Sequence, residues 1–172
     1  TIRSVDPNHE IIVESIRWAS ASGFSSLEPT GDAKTVYSFH FYEPHVFTHQ
    51  SVYESVEPIS YPGEIQGKVW NRKTMEEAMR PVVEFQEKTG CQIYVGEFSA
   101  IRWAPGESGL NYLRDVLSIF ETHGWSWAYH AFREWPGWGL DYEGPKDRTE
   151  GPFETTPRLE LLKSFWQFGA AF

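Results

Sequence analysis

Glu97 is where this sequence first offers chemistry. The stretch Gln92-Ile93-Tyr94-Val95-Gly96-Glu97-Phe98-Ser99 opens with the apolar, β-branched and aromatic composition of a buried strand and ends on a carboxylate. Parallel α/β folds build their sites at the carboxyl ends of strands, so a glutamate there is a candidate working group. A second run, Thr35-Val36-Tyr37-Ser38-Phe39-His40-Phe41-Tyr42, ends on a histidine and a tyrosine two residues apart. Period-two alternation points those two side chains to one face. A phenol and an imidazole beside a carboxylate hold it ionised and aimed, which a nucleophile requires. Retaining glycoside hydrolysis uses such a carboxylate, with a second, protonated carboxyl about 5–5.5 Å away. Glu14, Glu43 and Glu134 are the internal candidates for that acid, although Glu14 could simply be ion-paired and Glu134 could simply cap a loop. Plainer readings stand beside the others as well. His40 could be a satisfied core histidine, Tyr42 could pack its ring, and Trp127 could be core.

These groups need a scaffold that brings strand ends together. Asp6-Pro7-Asn8-His9 reads as a turn, and Ile11 to Ile16 as the first strand. The segment from Trp18 to Ala33 reads as a loop with one helical turn, and the Glu43 to Arg72 stretch as a long loop of the kind that is usually functional. Thr74 with Glu77 has capping-box spacing ahead of a helical stripe of Met75, Ala78, Met79, Val82 and Val83. Pro81 should kink or restart that helix, and Gly90 should close it. Leu110, Leu113, Leu117 and Phe120 mark another helix, ended by Gly124. Trp125 to His130 reads as a fourth strand, followed by an aromatic loop from Phe132 to Tyr142. Thr156 as N-cap with Pro157 behind it opens a last helix, whose core face includes Leu159, Leu162 and Phe165 or Trp166. Continuous apolar strands alternating with helices predict an α/β domain spanning residues 1–172 with a parallel four-stranded sheet and three main helices. Glu14, His40 with Tyr42, Glu97, and Trp127 with His130 would then converge on one face.

Composition narrows the ligand. With 8 Trp, 8 Tyr and 12 Phe in 172 residues, several in Gly/Pro-rich segments, aromatics such as Trp103 and Trp135 read as platforms for a flat sugar face. A net charge of -9 argues against nucleic acid, because phosphate binding needs a basic face, and favours a neutral polysaccharide. No apolar run approaches a membrane span, and the opening residues do not read as a signal peptide. Cys91, the single cysteine, has no internal disulfide partner. The six histidines lack the spacing of a zinc-protease helix, so neither metal nor cofactor is expected.

The motifs in series resemble glycoside hydrolase family 5, the cellulase-like retaining (β/α)8 barrels. Tyr37 to Pro44, continuing through Phe47-Thr48-His49-Gln50, is similar to the family's sixth strand and loop. Ile93 to Phe98 is similar to the seventh, and Gly124 to Phe132 to the eighth. The resemblance implies that Glu97 is the nucleophile, that His40 and Tyr42 orient it or contact the sugar, and that Trp127 or His130 floors the central subsite. Glu14, Trp103 and Trp135 would then bind substrate. The family's Asn-Glu-Pro stretch, which carries the acid/base glutamate, has no counterpart here.

A full barrel takes about 250 residues. The resemblance therefore implies a C-terminal half, strands five to eight, of a (β/α)8 barrel. Two unpaired sheet edges and an interior face are association liabilities. The expected partners are a β-glucan or related polysaccharide and either a second copy or the N-terminal half-barrel. The isolated chain is expected to be inactive or nearly so. A non-catalytic carbohydrate-binding protein, or an assembly fragment without ligand affinity, are the alternatives.

Overall fold

The structure, a computed structural model, describes residues 2–169. Its elements in chain order are β1 (Ile11–Glu14), the turn α1 (Ile16–Ala19), β2 (Thr35–Phe41), α2 (His45–Thr48), β3 (Gly63–Ile65), β4 (Lys68–Trp70), α3 (Arg72–Thr89), β5 (Gln92–Phe98), α4 (Ser108–His123), β6 (Ser126–Trp127) and α5 (Pro157–Gly169). The main sheet has the order β1-β2-β5-β6 with every pair parallel, as the alternation of strands and helices requires.

The two faces of this sheet differ. Tyr37, Phe39, Phe41, Ile93, Val95 and Phe98 share one face and are buried in a common core with Met79, Val82 and Phe85 of α3 and Leu113, Val116, Leu117 and Phe120 of α4. Edge-to-face ring pairs such as Phe39 with Trp125 (5.3 Å) and Phe98 with Phe120 (5.1 Å) knit the layers. The other face carries Ile12, Glu14, Ser38, His40 and Tyr94. No second layer covers it among the described residues, and Ile12 stays 56% exposed.

Several local expectations needed correction. α3 begins at Arg72, because Asn71, not Thr74, is the cap: Asn71 Oδ1 accepts from the Thr74 amide at 3.1 Å. The Thr74 hydroxyl donates instead to the Val69 carbonyl at 2.8 Å. The helix passes through Pro81 without interruption and closes on Gly90, at φ 66° in the left-handed region. The 43–72 segment is not simply a loop. It holds α2 and the antiparallel hairpin β3–β4, whose two-residue connection, Gln66 and Gly67, takes φ of 53° and 75°. The Gln50 side chain pins this segment by bonding the Phe47 carbonyl and both the amide and carbonyl of Ile59.

The fourth strand is shorter than expected. Bonds from Ala128 N to Val95 O and from His130 N to Phe98 O nevertheless keep the chain beside β5 as far as His130. Thr156 caps α5 as expected, its hydroxyl accepting from the Leu159 amide at 3.1 Å. After β1, residues Arg17, Trp18 and Ala19 take φ of 59°, 55° and 56°, a left-handed turn that leaves Trp18 94% exposed.

Candidate active site

Glu97 reaches the open face because β5 contains one extra residue. Phe39 pairs with Val95, but His40 pairs with Glu97, so Gly96 is a bulge. Plain alternation from Ile93 and Val95 would have turned residue 97 toward the helices. The bulge instead places it beside His40 and, through the β1–β2 pairing of Glu14 with Ser38, on the face of Glu14. Gly96 is also where the His40 ring needs space: a Cβ there would lie 3.0 Å from both His40 Nε2 and Ser38 Oγ.

One oxygen of the carboxylate takes a hydrogen bond and faces two imidazole rings. The Tyr42 hydroxyl donates to Glu97 Oε2 at 2.9 Å. His40 Nδ1 and His130 Nδ1 stand 3.7 and 3.9 Å from the same oxygen. Each imidazole has a further carboxylate on its other nitrogen, Glu14 at 3.3 Å from His40 Nε2 and Glu134 at 3.3 Å from His130 Nε2. Burial first, and then the charge of Glu97, push the Tyr42 phenol far above its ordinary range, so it remains a donor wherever Glu97 is ionised.

This cluster opens into two adjoining clefts. One, about 760 Å³, is lined by Glu14, Trp18, His40, Tyr42, Tyr53 and Glu97 among others. The second, about 330 Å³, lies between Tyr42, His49, Glu97, His130, Trp135 and Trp138. His49 stacks on His45 with ring centres 3.8 Å apart. Its burial, and then the neighbouring His45, lower its pKa to about 4, so it is neutral near neutral pH.

The structure thus brings together Glu97, His40, Tyr42, Glu14, His130 and Trp135 out of the residues singled out in the sequence. Trp103 sits behind Trp135, edge-on at 5.6 Å, with its indole N–H given to the Gln50 carbonyl. Trp127 is a correction. It pairs with Val95 and so faces the helices, donating to Glu121 Oε1 at 2.9 Å and stacking on Trp166. Trp18, His49, Tyr53 and Trp138 also line the clefts, and nothing in periodicity marks them. Their signal was only their position in the loops that follow strand ends. Among the described residues no group of three or more His, Cys, Asp or Glu could hold a metal ion, and no helix is long and apolar enough to cross a membrane.

Fold and site define a class: a parallel α/β sheet with an acidic cluster and aromatic clefts at its carboxyl-terminal ends. The sequence profile of Cellulase (glycosyl hydrolase family 5) matches residues 1–134, and the chain belongs to that family. It is 28% identical over 156 residues to Endoglucanase C of Acetivibrio thermocellus, which covers 74% of this chain and 46% of that protein. Cellodextrinase A of Ruminococcus flavefaciens is 29% identical over 137 residues, 78% of this chain and 40% of its own length. Among solved structures, Thermotoga maritima Cel5A in complex with cellobiose superposes with a TM-score of 0.72 at 29% identity, covering 94% of this chain and 50% of that one. The cellulose synthase subunit Z of Clostridioides difficile superposes at 0.75 with 25% identity, over 94% and 51%. The chain spans about half the length of the proteins it matches, and the four-stranded α/β unit corresponds to about half of their (β/α)8 barrels.

Proposed function

We propose that this chain carries the nucleophile of a retaining β-glucan hydrolase and is the part of the barrel that contributes strands five to eight. The observation that carries the reading is the Glu97 carboxylate, held through Oε2 by the Tyr42 hydroxyl at the mouth of an aromatic cleft. Oε1 has none of the three contacts that Oε2 has, and is the oxygen free to attack. In the first step Oε1 bonds to the anomeric carbon while the glycosidic C–O bond breaks, and the departing oxygen takes a proton from a carboxylic acid. In the second, water attacks the glycosyl–enzyme ester, the same acid having become the base. Glu14 and Glu134 each face Glu97 across an imidazole ring, and Glu43 is an exposed residue of the larger cleft. We assign the proton donor to the remainder of the barrel, where the family carries its Asn-Glu-Pro stretch. His40 and Tyr42 orient the nucleophile, and Trp135, backed by Trp103, offers the sugar a platform. Relatives named as endoglucanase and cellodextrinase support a β-linked glucan as substrate.

The uncovered sheet face and the open edges of β1 and β6 support completion by a partner. In the whole enzyme that partner is the N-terminal half-barrel, and in the isolated chain a second copy. The test is to supply the N-terminal half of a related family member and assay β-glucan hydrolysis. Wild-type chain should restore turnover, and Glu97→Gln should lower it by on the order of 10³ or more, the scale of losing an essential nucleophile. Unchanged turnover would remove Glu97 from the mechanism. A second reading, carbohydrate binding without catalysis, is favoured by clefts whose aromatic lining lies within this chain. It predicts cello-oligosaccharide binding that Glu97→Ala leaves intact, with no hydrolysis in any reconstituted form.

A further inference from the structure

We propose that Glu134 is a positioning residue: it accepts the Nε2–H of His130 and thereby turns the bare Nδ1 of that ring toward Glu97, as an acceptor for a sugar hydroxyl. The ring orientation stands on geometry alone. The hydroxyl rests on the reading of Glu97 as the sugar-facing carboxylate.

His130 is fixed at its backbone by the bond from its amide to the Phe98 carbonyl, at 3.1 Å. Its ring lies among aromatic edges, 6.5 Å from both Tyr42 and Trp138. These contacts place the imidazole without deciding which nitrogen carries the proton. A neutral imidazole has one donor and one acceptor. Carboxylates face both nitrogens, Glu134 Oε2 at 3.3 Å from Nε2 and Glu97 Oε2 at 3.9 Å from Nδ1. One ring proton cannot satisfy both, and the shorter contact takes it. Nδ1 is then an unprotonated nitrogen facing a carboxylate oxygen, at a separation too long for a hydrogen bond and edged by an open cleft. Two acceptors facing each other across such a gap invite a donor. A hydroxyl of a sugar bound against Glu97 supplies it, donating to Nδ1 at no cost to the Tyr42 bond. Without Glu134 the proton can move to Nδ1, which would convert the ring from acceptor to donor at that point.

The test uses the chain labelled with ¹⁵N at about pH 9, where an ordinary histidine is neutral. Long-range ¹H–¹⁵N spectra distinguish the two tautomers, and His130→Asn identifies the signals. Wild type should show His130 protonated at Nε2. Glu134→Ala should give a mixture of tautomers. Glu134→Gln, whose amide oxygen still accepts, should restore the wild-type pattern. Residue 134 is exposed, so these variants should fold, and unchanged tryptophan indole signals would show that they do. A wild-type tautomer pattern in Glu134→Ala overturns the orienting role. Cellotriose is then added to the labelled chain combined with the N-terminal half of a related family member, while tryptophan fluorescence reports binding. The Nδ1 signal should move in wild type and by less than half as much in Glu134→Ala. Binding without any Nδ1 change overturns the acceptor role. If cellotriose does not bind, the sugar-site reading and the acceptor role fall together, while ring orientation is decided by Glu134→Ala alone.

Discussion

Tyr42 and Glu97, 55 residues apart in sequence, meet at 2.9 Å across the seam between β2 and β5. The donor lies just past the end of one strand and the acceptor one residue before the end of its neighbour. The bond therefore exists only when the two strands are paired in the observed register. Hydrogen bonds to charged groups contribute about 1.5–3 kcal/mol. Tyr42→Phe should accordingly lower kcat of the reconstituted enzyme by about 10- to 100-fold. Steady-state kinetics at saturating glucan would check this, and an unchanged kcat would show that the phenol does not aim the nucleophile.

Gly96 is the second point of sensitivity. A methyl group there would crowd the His40 ring and Ser38 Oγ, both at the back of the site. Gly96→Ala should cost about 1–3 kcal/mol, the usual range for overpacking. A lowered urea midpoint with an unchanged m-value would report it.

His49 gives stability a pH dependence. Its pKa is lowered from 6.5 to about 4 on folding, mainly by burial. The unfolded chain therefore binds more protons than the folded one between these values, and this contribution is fully present above pH 6.5 and lost as pH falls through about 4. His49→Asn should flatten the fall in melting temperature across that window. Parallel wild-type and variant curves would contradict the assignment.

The left-handed turn after β1 holds three consecutive non-glycine residues at positive φ. Such conformations cost roughly 1–2 kcal/mol per residue, and glycine is largely spared. Arg17→Gly should raise stability by about 1 kcal/mol. Equilibrium denaturation that shows a loss instead would mean that the arginine side chain contributes more than its backbone costs.

The bare edge of β1 and the exposed Ile12, Ile16 and Trp18 beside it predict self-association of the isolated chain. Sedimentation velocity at micromolar concentration should show a dimer or larger species. A compact monomer would reject completion by a second copy and leave the N-terminal half as the partner.

Much of this was legible in the sequence. Continuous apolar runs marked β2 and β5, and the strand–helix alternation implied their parallel pairing. The shared position of His40, Tyr42 and Glu97 at strand ends implied their meeting. Local competition hid the rest. Asn71 has Thr74 rather than Glu or Gln three residues on, so it lacks a capping-box signature, yet it sits at the right backbone position and outcompetes Thr74. Gln66-Gly67 lacks the usual Asn-Gly or Asp-Gly signal of a hairpin, so β3 and β4 looked like loop. Trp127 could be assigned a face only once its partner was known to be Val95. Glu134 lies in a loop whose path no periodicity describes, and its place behind His130 became visible only in three dimensions.

The bulge in β5 makes the site depend on how the ribbon is paired as much as on residue identity. Iron the kink flat with every residue kept, and the carboxylate would swing into the oily layer while a phenyl ring came round to greet the carbohydrate. Excising residue 96 would instead leave Glu97 directly after Val95 and still opposite His40, so that loss is the milder one. Anyone grafting or shuffling this ribbon into another enzyme must therefore reproduce the kink, or drop the residue it absorbs.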